Sequence, residues 1–276
     1  MNLILSQAPL FLLVFMRCAA MLFTLPLFST RAASRIAKVA LAGYMAFFIL
    51  GSTDLSFYGP YLVEDGVASL QFFLIAVGEV LIGIIIGFYV SVIFSAFSTA
   101  GQFIAFQMGL SAASSYDALS QVENPLMGQF FNLVAMLVFM QTHWFQILFF
   151  KGLTSSFASL NAINIATAGN HIVTFLLKSL TDLFADALVI SLPVMGTLSL
   201  ITITTGLLGK AAPQMNLLSE GFPIMILVAF TIIAFVMPDI FDFFVRSFNK
   251  GFADLGEFFK NVSASSDNLL NSAGGV

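Results

Sequence analysis

Ionisable residues are scarce in this chain, so those inside apolar stretches carry the first questions about chemistry. Arg17 lies in the middle of an apolar run from about residue 8 to 28, and Glu79 lies within another from about 67 to 97. A charged group facing lipid costs at least about 2.5 kcal/mol on insertion scales, so such groups face a bundle interior, pair, or neutralise. Arg17 and Glu79 are therefore read as a structural ion pair or as backbone-bonded groups, in preference to a proton relay. Asp182 and Asp186 stand one helical turn apart. They suit a shared proton or a bound cation, or else a face turned to water or to a polar subunit seam, and the second reading is favoured.

The remaining candidates weaken on inspection. The stretch from Gly206 to Ala211 has a superficial likeness to a phosphate loop. It lacks the first glycine at the required offset, and Ala211 stands where a Ser or Thr must bind magnesium. His143 and His171 belong to no metal-ligand spacing, and His143 beside Trp144 reads as an interfacial anchor. The single cysteine, Cys18, allows neither a disulfide within the chain nor a thiolate metal site. With no Ser/His/Asp or Cys/His arrangement, no enzyme activity, cofactor or metal is expected.

The elements that must position these residues follow from composition. Of 276 residues, 59% are hydrophobic and 9% charged, and 33 are Phe. Soluble domains run near ~45–50% apolar and ~25% charged, so this chain cannot cover a globule with polar side chains. Disordered chains are poor in aromatic and aliphatic residues, which excludes disorder. A net charge of −4 without a basic stripe excludes nucleic acid as a partner. What remains is an all-α, polytopic helical membrane protein, with apolar surface for lipid or for neighbouring subunits.

A spanning helix needs ~20 mostly apolar residues. Candidate spans run over about 8–28, 36–50, 67–97, 126–150, 172–208 and 222–236, followed by an amphipathic tail in which Phe241, Phe244, Phe248 and Phe252 recur at helical spacing. The N-terminal segment has neither a basic n-region nor a small-residue cleavage site, and reads as a retained membrane helix. Two runs exceed one hydrocarbon thickness, and the cluster Arg31, Arg35, Lys38 conflicts with the basic tail in a six-span count. Six simple spans are therefore not expected. The reading is one helical domain over 1–260 and a flexible tail over 261–276.

Residues 100–117, AGQFIAFQMGLSAASSYD, alternate small residues and glutamines with Phe and Met, which suits packing inside protein or lining a cavity. Lys210 to Glu220 is polar between two spans, with Pro213 limiting helix continuation. Its backbone belongs at an interface, and Lys210, Pro213, Gln214, Asn216 and Glu220 are candidates for subunit contact or a pore mouth. Gly78, Gly83 and Gly87 form a small-residue pattern that permits close helix approach.

Two of these stretches, AGQFIAFQMGLSAASSYD and GKAAPQMNLLSEGFPI (209–224), resemble signature segments of the FliR/SctT family, export-gate membrane proteins of flagellar and injectisome type III secretion. RCAAMLFTLPLFS (17–29), Arg31 and Arg35, GEVLIGIIIGF (78–88) and the Pro193 region extend the likeness over roughly residues 8–260. The resemblance implies a hairpin-rich subunit, one copy per complex, assembling with FliP-type and FliQ-type subunits into a helical pore for unfolded flagellar proteins. It further implies a place in the flagellar basal body at the bacterial inner membrane, against the rod base and ring proteins, and contact with an FlhB-type specificity component. An internal plug loop of the family matches the segment from about Met108 to Tyr116.

Physical requirements agree with that assignment. A pore that passes unfolded chains and retains ions needs a flexible, apolar, water-excluding constriction, and Met, Phe, Gly and Ala supply one. Phe106, Met108, Gly109, Leu110, Ser111, Ala112, Ala113, Ser114, Ser115 and Tyr116 are the gate candidates, against a tightly packed hairpin with no gating role. The alternative function is a small cation-coupled secondary transporter using Glu79, Asp182 and Asp186. The flagellar export gate is favoured over it.

Overall fold

The structure, a computed structural model, describes residues 2–29, 34–53, 55–61, 70–110, 126–160, 162, 165, 168–211 and 217–273. Its order is α1 (Asn2–Thr24), α2 (Pro26–Ser29), α3 (Arg35–Ser52), a 3-10 turn (Ser56–Tyr61), α4 (Leu70–Gln107), α5 (Leu126–Gln141), α6 (Trp144–Ile147), a π-helical turn (Leu148–Leu153), α7 (Thr154–Ser159), α8 (Gly169–Ala211) and α9 (Leu217–Ala273). Among the described residues there is no strand, and four helices are long and apolar enough to cross a membrane. The all-α, polytopic expectation is met.

Local chemistry explains several boundaries. Ser34 caps α3, its Oγ accepting from the Ala37 N–H at 3.2 Å, and Thr53 ends that helix in extended conformation. Gly109, with φ of 78°, follows the end of α4 in the left-handed conformation that commonly terminates helices. The expected span over 126–150 is interrupted instead of continuous. His143 adopts φ of 57°, and its carbonyl accepts from the Gln146 and Ile147 N–H groups as the chain restarts in α6.

The final span and the amphipathic tail, expected as separate segments, form one helix of 57 residues, α9, with Pro223 and Pro238 inside it. At ~1.5 Å per residue, α9 is roughly 85 Å long and the 38-residue α4 roughly 57 Å, against a hydrocarbon core of ~30 Å. The over-long runs are thus continuous helices that reach beyond lipid depth.

The chain divides into two compact units, Met1–Val92 with His143–Ser179 and Lys250–Val276, and Ile93–Thr142 with Leu180–Asn249. In the first, α1 packs on α3, and Tyr89 donates to the Gly251 carbonyl at 2.9 Å. Trp144 stacks on Phe252 with centroids 4.8 Å apart, and its indole is buried. In the second unit Phe94, Phe97, Phe139, Phe244 and Phe248 interlock, with Phe97 and Phe244 centroids 4.0 Å apart. Edge-to-face rings of this kind contribute about 0.5–1.5 kcal/mol per pair beyond their buried area. The helical recurrence of Phe244 and Phe248 thus marks a core-facing stripe.

Candidate functional site

Arg17 and Glu79 meet. Both are fully buried, and the guanidinium engages the carboxylate through two atoms: Nε donates to Oε2 at 2.6 Å and Nη2 to Oε1 at 2.8 Å. Nη2 also donates to the Leu160 carbonyl at 2.9 Å and Nη1 to Ser156 Oγ at 3.0 Å. The Phe157 ring lies 3.8 Å from the guanidinium carbon. Tyr58, from the 3-10 turn, donates its hydroxyl to Glu79 Oε1 and accepts from the Ala162 N–H at 3.3 Å. Burial first, and then the Glu79 carboxylate, push the Tyr58 phenol well above the usual tyrosine range, so it remains a donor.

This arrangement fastens together α1, α4, the 3-10 turn and the segment following α7. A paired, multiply hydrogen-bonded charge of this kind fits a structural role, because breaking it leaves an uncompensated buried ion. Tyr58, Ser156, Phe157 and Leu160 were not singled out by sequence reasoning. They lie 41 to 143 positions from Arg17, and nothing local in their sequence announces the contact.

Three glycines set the register that brings the pair together. A Cβ on Gly83 would collide with the Arg17 backbone carbonyl, and one on Gly87 with the Thr24 hydroxyl and Met21 carbonyl. A Cβ on Gly78 would stand 2.6 Å from that of Ala162. The small-residue face of α4 thus lets α1 approach at backbone distance. Ser91 Oγ, donating to the Thr24 carbonyl at 2.7 Å, continues the same seam.

The gate candidates begin where α4 ends, in the second unit. Phe106 is 73% exposed whereas Met108 is fully buried, so the two side chains face different surroundings. Gln107 Nε2 donates to Ser199 Oγ of α8 at 3.1 Å. Gly109 lies against the Phe222 ring of α9, whose carbons occupy the space a Cβ would need. Leu110 is half-buried. Ser111, Ala112, Ala113, Ser114, Ser115 and Tyr116 lie outside the described residues, as do Pro213, Gln214 and Asn216. Lys210 is exposed near the end of α8, and Glu220 falls within the first turns of α9.

Residues 8–251 match the family described as bacterial export proteins, family 1. This chain belongs to that family. Among its relatives, the flagellar biosynthetic protein FliR of Bacillus subtilis (strain 168) is 30% identical over 246 residues, covering 87% of this chain and 91% of the relative. FliR of Escherichia coli (strain K12) is 29% identical over 260 residues, covering 94% and 95%. The surface presentation of antigens protein SpaR of Shigella sonnei is 28% identical over 251 residues, covering 90% and 91%.

As a member of bacterial export proteins, family 1, the chain is a membrane-embedded subunit of a type III export gate, in agreement with the resemblance carried by its two signature segments. The family match takes in the Arg17–Glu79 node and the end of α4 alike. The transporter alternative is not favoured. Both Glu79 oxygens are engaged by Arg17, with Tyr58 on one of them, and Asp186 accepts from Ser247 Oγ at 2.6 Å. Among the described residues no group of three or more His, Cys, Asp or Glu side chains gathers in a way that suits a metal ion.

Proposed function

We propose that this chain is the single-copy subunit that joins FliP-type and FliQ-type subunits in the pore of the flagellar export apparatus at the bacterial inner membrane. Its work there is mechanical, not enzymatic. The segment Phe106–Tyr116 is the resting constriction, closing the path to water and ions between translocation events. An FlhB-type component, the rod base and the ring proteins are its further neighbours. Lys210, Pro213, Gln214, Asn216 and Glu220 lie at a subunit contact or pore mouth.

The observation that carries this reading is the way α4 stops. Thirty-eight residues of apolar helix end at Gln107, and a left-handed Gly109 then releases the chain into the small-residue stretch. A dewetting gate calls for Met, Gly and Ala in the sequence at the constriction, and the stretch after α4 has that composition. Helices with much unburied apolar surface supply faces for the neighbours. Only 17% of the most apolar part of α9 is buried, against 56% for α4.

Deleting Gly109–Ser115 in the assembled complex and measuring ion conductance across the membrane tests the gate. Leakage with intact assembly is expected. A tight membrane with intact assembly identifies the segment as a packed hairpin and overturns the gate.

A further inference from the structure

In the first unit, the start of α8 and the later part of α9 border a cleft of about 200 Å³. His171, Thr174 and Lys178 line it from α8, and Asp254, Glu257 and Asn261 from α9. Each set recurs at i, i+3, i+7, the spacing of one helix face. Phe175 and Phe258 join the two walls, stacked with centroids 4.4 Å apart. Tyr89 packs on Phe175 at 4.5 Å and is itself tied to the Gly251 carbonyl, so the aromatic part of the cleft is braced from behind.

The charges in this cleft do not balance. Lys178 Nζ reaches Asp254 Oδ1 at 3.4 Å, but the lysine side chain is 59% exposed, and an exposed pair of that length contributes little. Glu257 is exposed and makes no ion pair among the described residues. Apart from His171, the lining thus holds one cation against two carboxylates. So many ionisable groups together keep the cleft out of hydrocarbon and leave it facing water or protein.

We propose that this cleft seats an arginine side chain of a neighbouring protein chain. The proposal rests on the assembly reading above and gives that assembly one specific contact.

Arginine suits the lining better than the alternatives. Its planar guanidinium presents five donors in a fixed fork, which matches the Glu257 carboxylate together with the Asn261 amide one turn further on. A guanidinium is also more weakly hydrated than an ammonium and packs well beside aromatic rings. The resident ammonium of Lys178 shows the contrast, because it stays mostly in solvent instead of filling the space. An acidic side chain or an anionic lipid headgroup would be repelled by Glu257, and an apolar side chain would bury that carboxylate unpaired.

Two variants act in opposite directions on the complex isolated from membranes through a tag on this chain. Glu257→Gln keeps the shape and removes the charge, and should lower severalfold the salt concentration at which the complex comes apart. Lys178→Met removes the competing cation but keeps its stem, and should raise that concentration. A cleft that serves only the internal Lys178–Asp254 pair gives the reverse pattern, with Glu257→Gln neutral and Lys178→Met weakening. A photo-crosslinking side chain in place of the exposed Thr174 then identifies the occupant in cells. Its adduct should fall within a few residues of an arginine on another subunit. Reversing that arginine to glutamate should slow export severalfold, and Glu257→Arg in this chain should restore it.

Variants that come apart at the wild-type salt concentration overturn the seat, as do an adduct with lipid alone, an adduct with no arginine near it, and a charge reversal that is not restored. In each of these the complex itself stays intact, so the assembly reading stands. A wild-type chain isolated free of other subunits overturns the assembly reading and the seat with it.

Discussion

Arg17 and Glu79 show how much one buried pair constrains a membrane subunit. The pair is bidentate, the guanidinium has further acceptors in Leu160 and Ser156, and Phe157 lies near it. Taking two ions out of water costs several kcal/mol each, and good geometry returns that only while both partners are present. Glu79→Met should therefore destabilise the protein by about 3–5 kcal/mol, since it leaves the guanidinium unpaired. Arg17→Met should do the same for the carboxylate, while the double Met variant should be less damaged than either single one. Thermal melting of the detergent-solubilised, co-expressed complex reads this. A double variant as unstable as the sum of the two singles would mean that Arg17 and Glu79 act independently. The rarity of charge in apolar runs made both residues visible in the sequence, but the partners around them were not, because 3-10 turns and backbone carbonyls carry no sequence mark.

At the scale of elements, the decisive contact is the glycine face of α4 on α1. Gly83 and Gly87 sit one and two turns beyond Glu79 and admit the α1 backbone itself, so a side chain there meets that backbone, the Ala20 Cβ and Thr24. Gly83→Leu and Gly87→Leu should separate the helices and pull Arg17 out of reach, lowering the amount of folded protein recovered from membranes. Gly43→Ala and Gly196→Ala, where a Cβ meets nothing within 4 Å, serve as controls and should have no such effect. Equal losses in all four variants would show that the tight seam does not matter. The repeated glycine spacing was legible in the sequence, whereas which helix it faced was not. Helix boundaries were legible only where a residue type compels them. Gly109 ends α4 as glycines commonly do, but the left-handed His143 interrupts an otherwise apolar run and gave no such signal.

For the whole molecule, the unburied apolar faces dominate. Phe235 is 81% exposed, Phe106 73% and Phe47 71%, on three different helices. Of these, α4 and α9 are far longer than lipid depth, so part of their apolar surface needs protein to cover it. Expressed alone, the chain should be recovered in detergent poorly and as mixed oligomers. Expressed with FliP-type and FliQ-type subunits, it should yield one discrete complex whose mass gives a single copy of this chain. A stable monomer obtained alone, with no complex on co-expression, would contradict that assembly.

The sequence by itself determined the class of molecule, because 59% hydrophobic residues and so few charges leave only helices among lipid and neighbours as a solution. It also carried the resemblance to the family, in two segments whose composition departs from that of ordinary apolar helix. Tertiary structure alone decided that Arg17 reaches Glu79, that Gly83 and Gly87 face α1, and that Phe222 stands against Gly109. Those pairings join residues 62 to 113 positions apart. Helical periodicity reports the face a residue occupies, but only packing in three dimensions selects what that face meets.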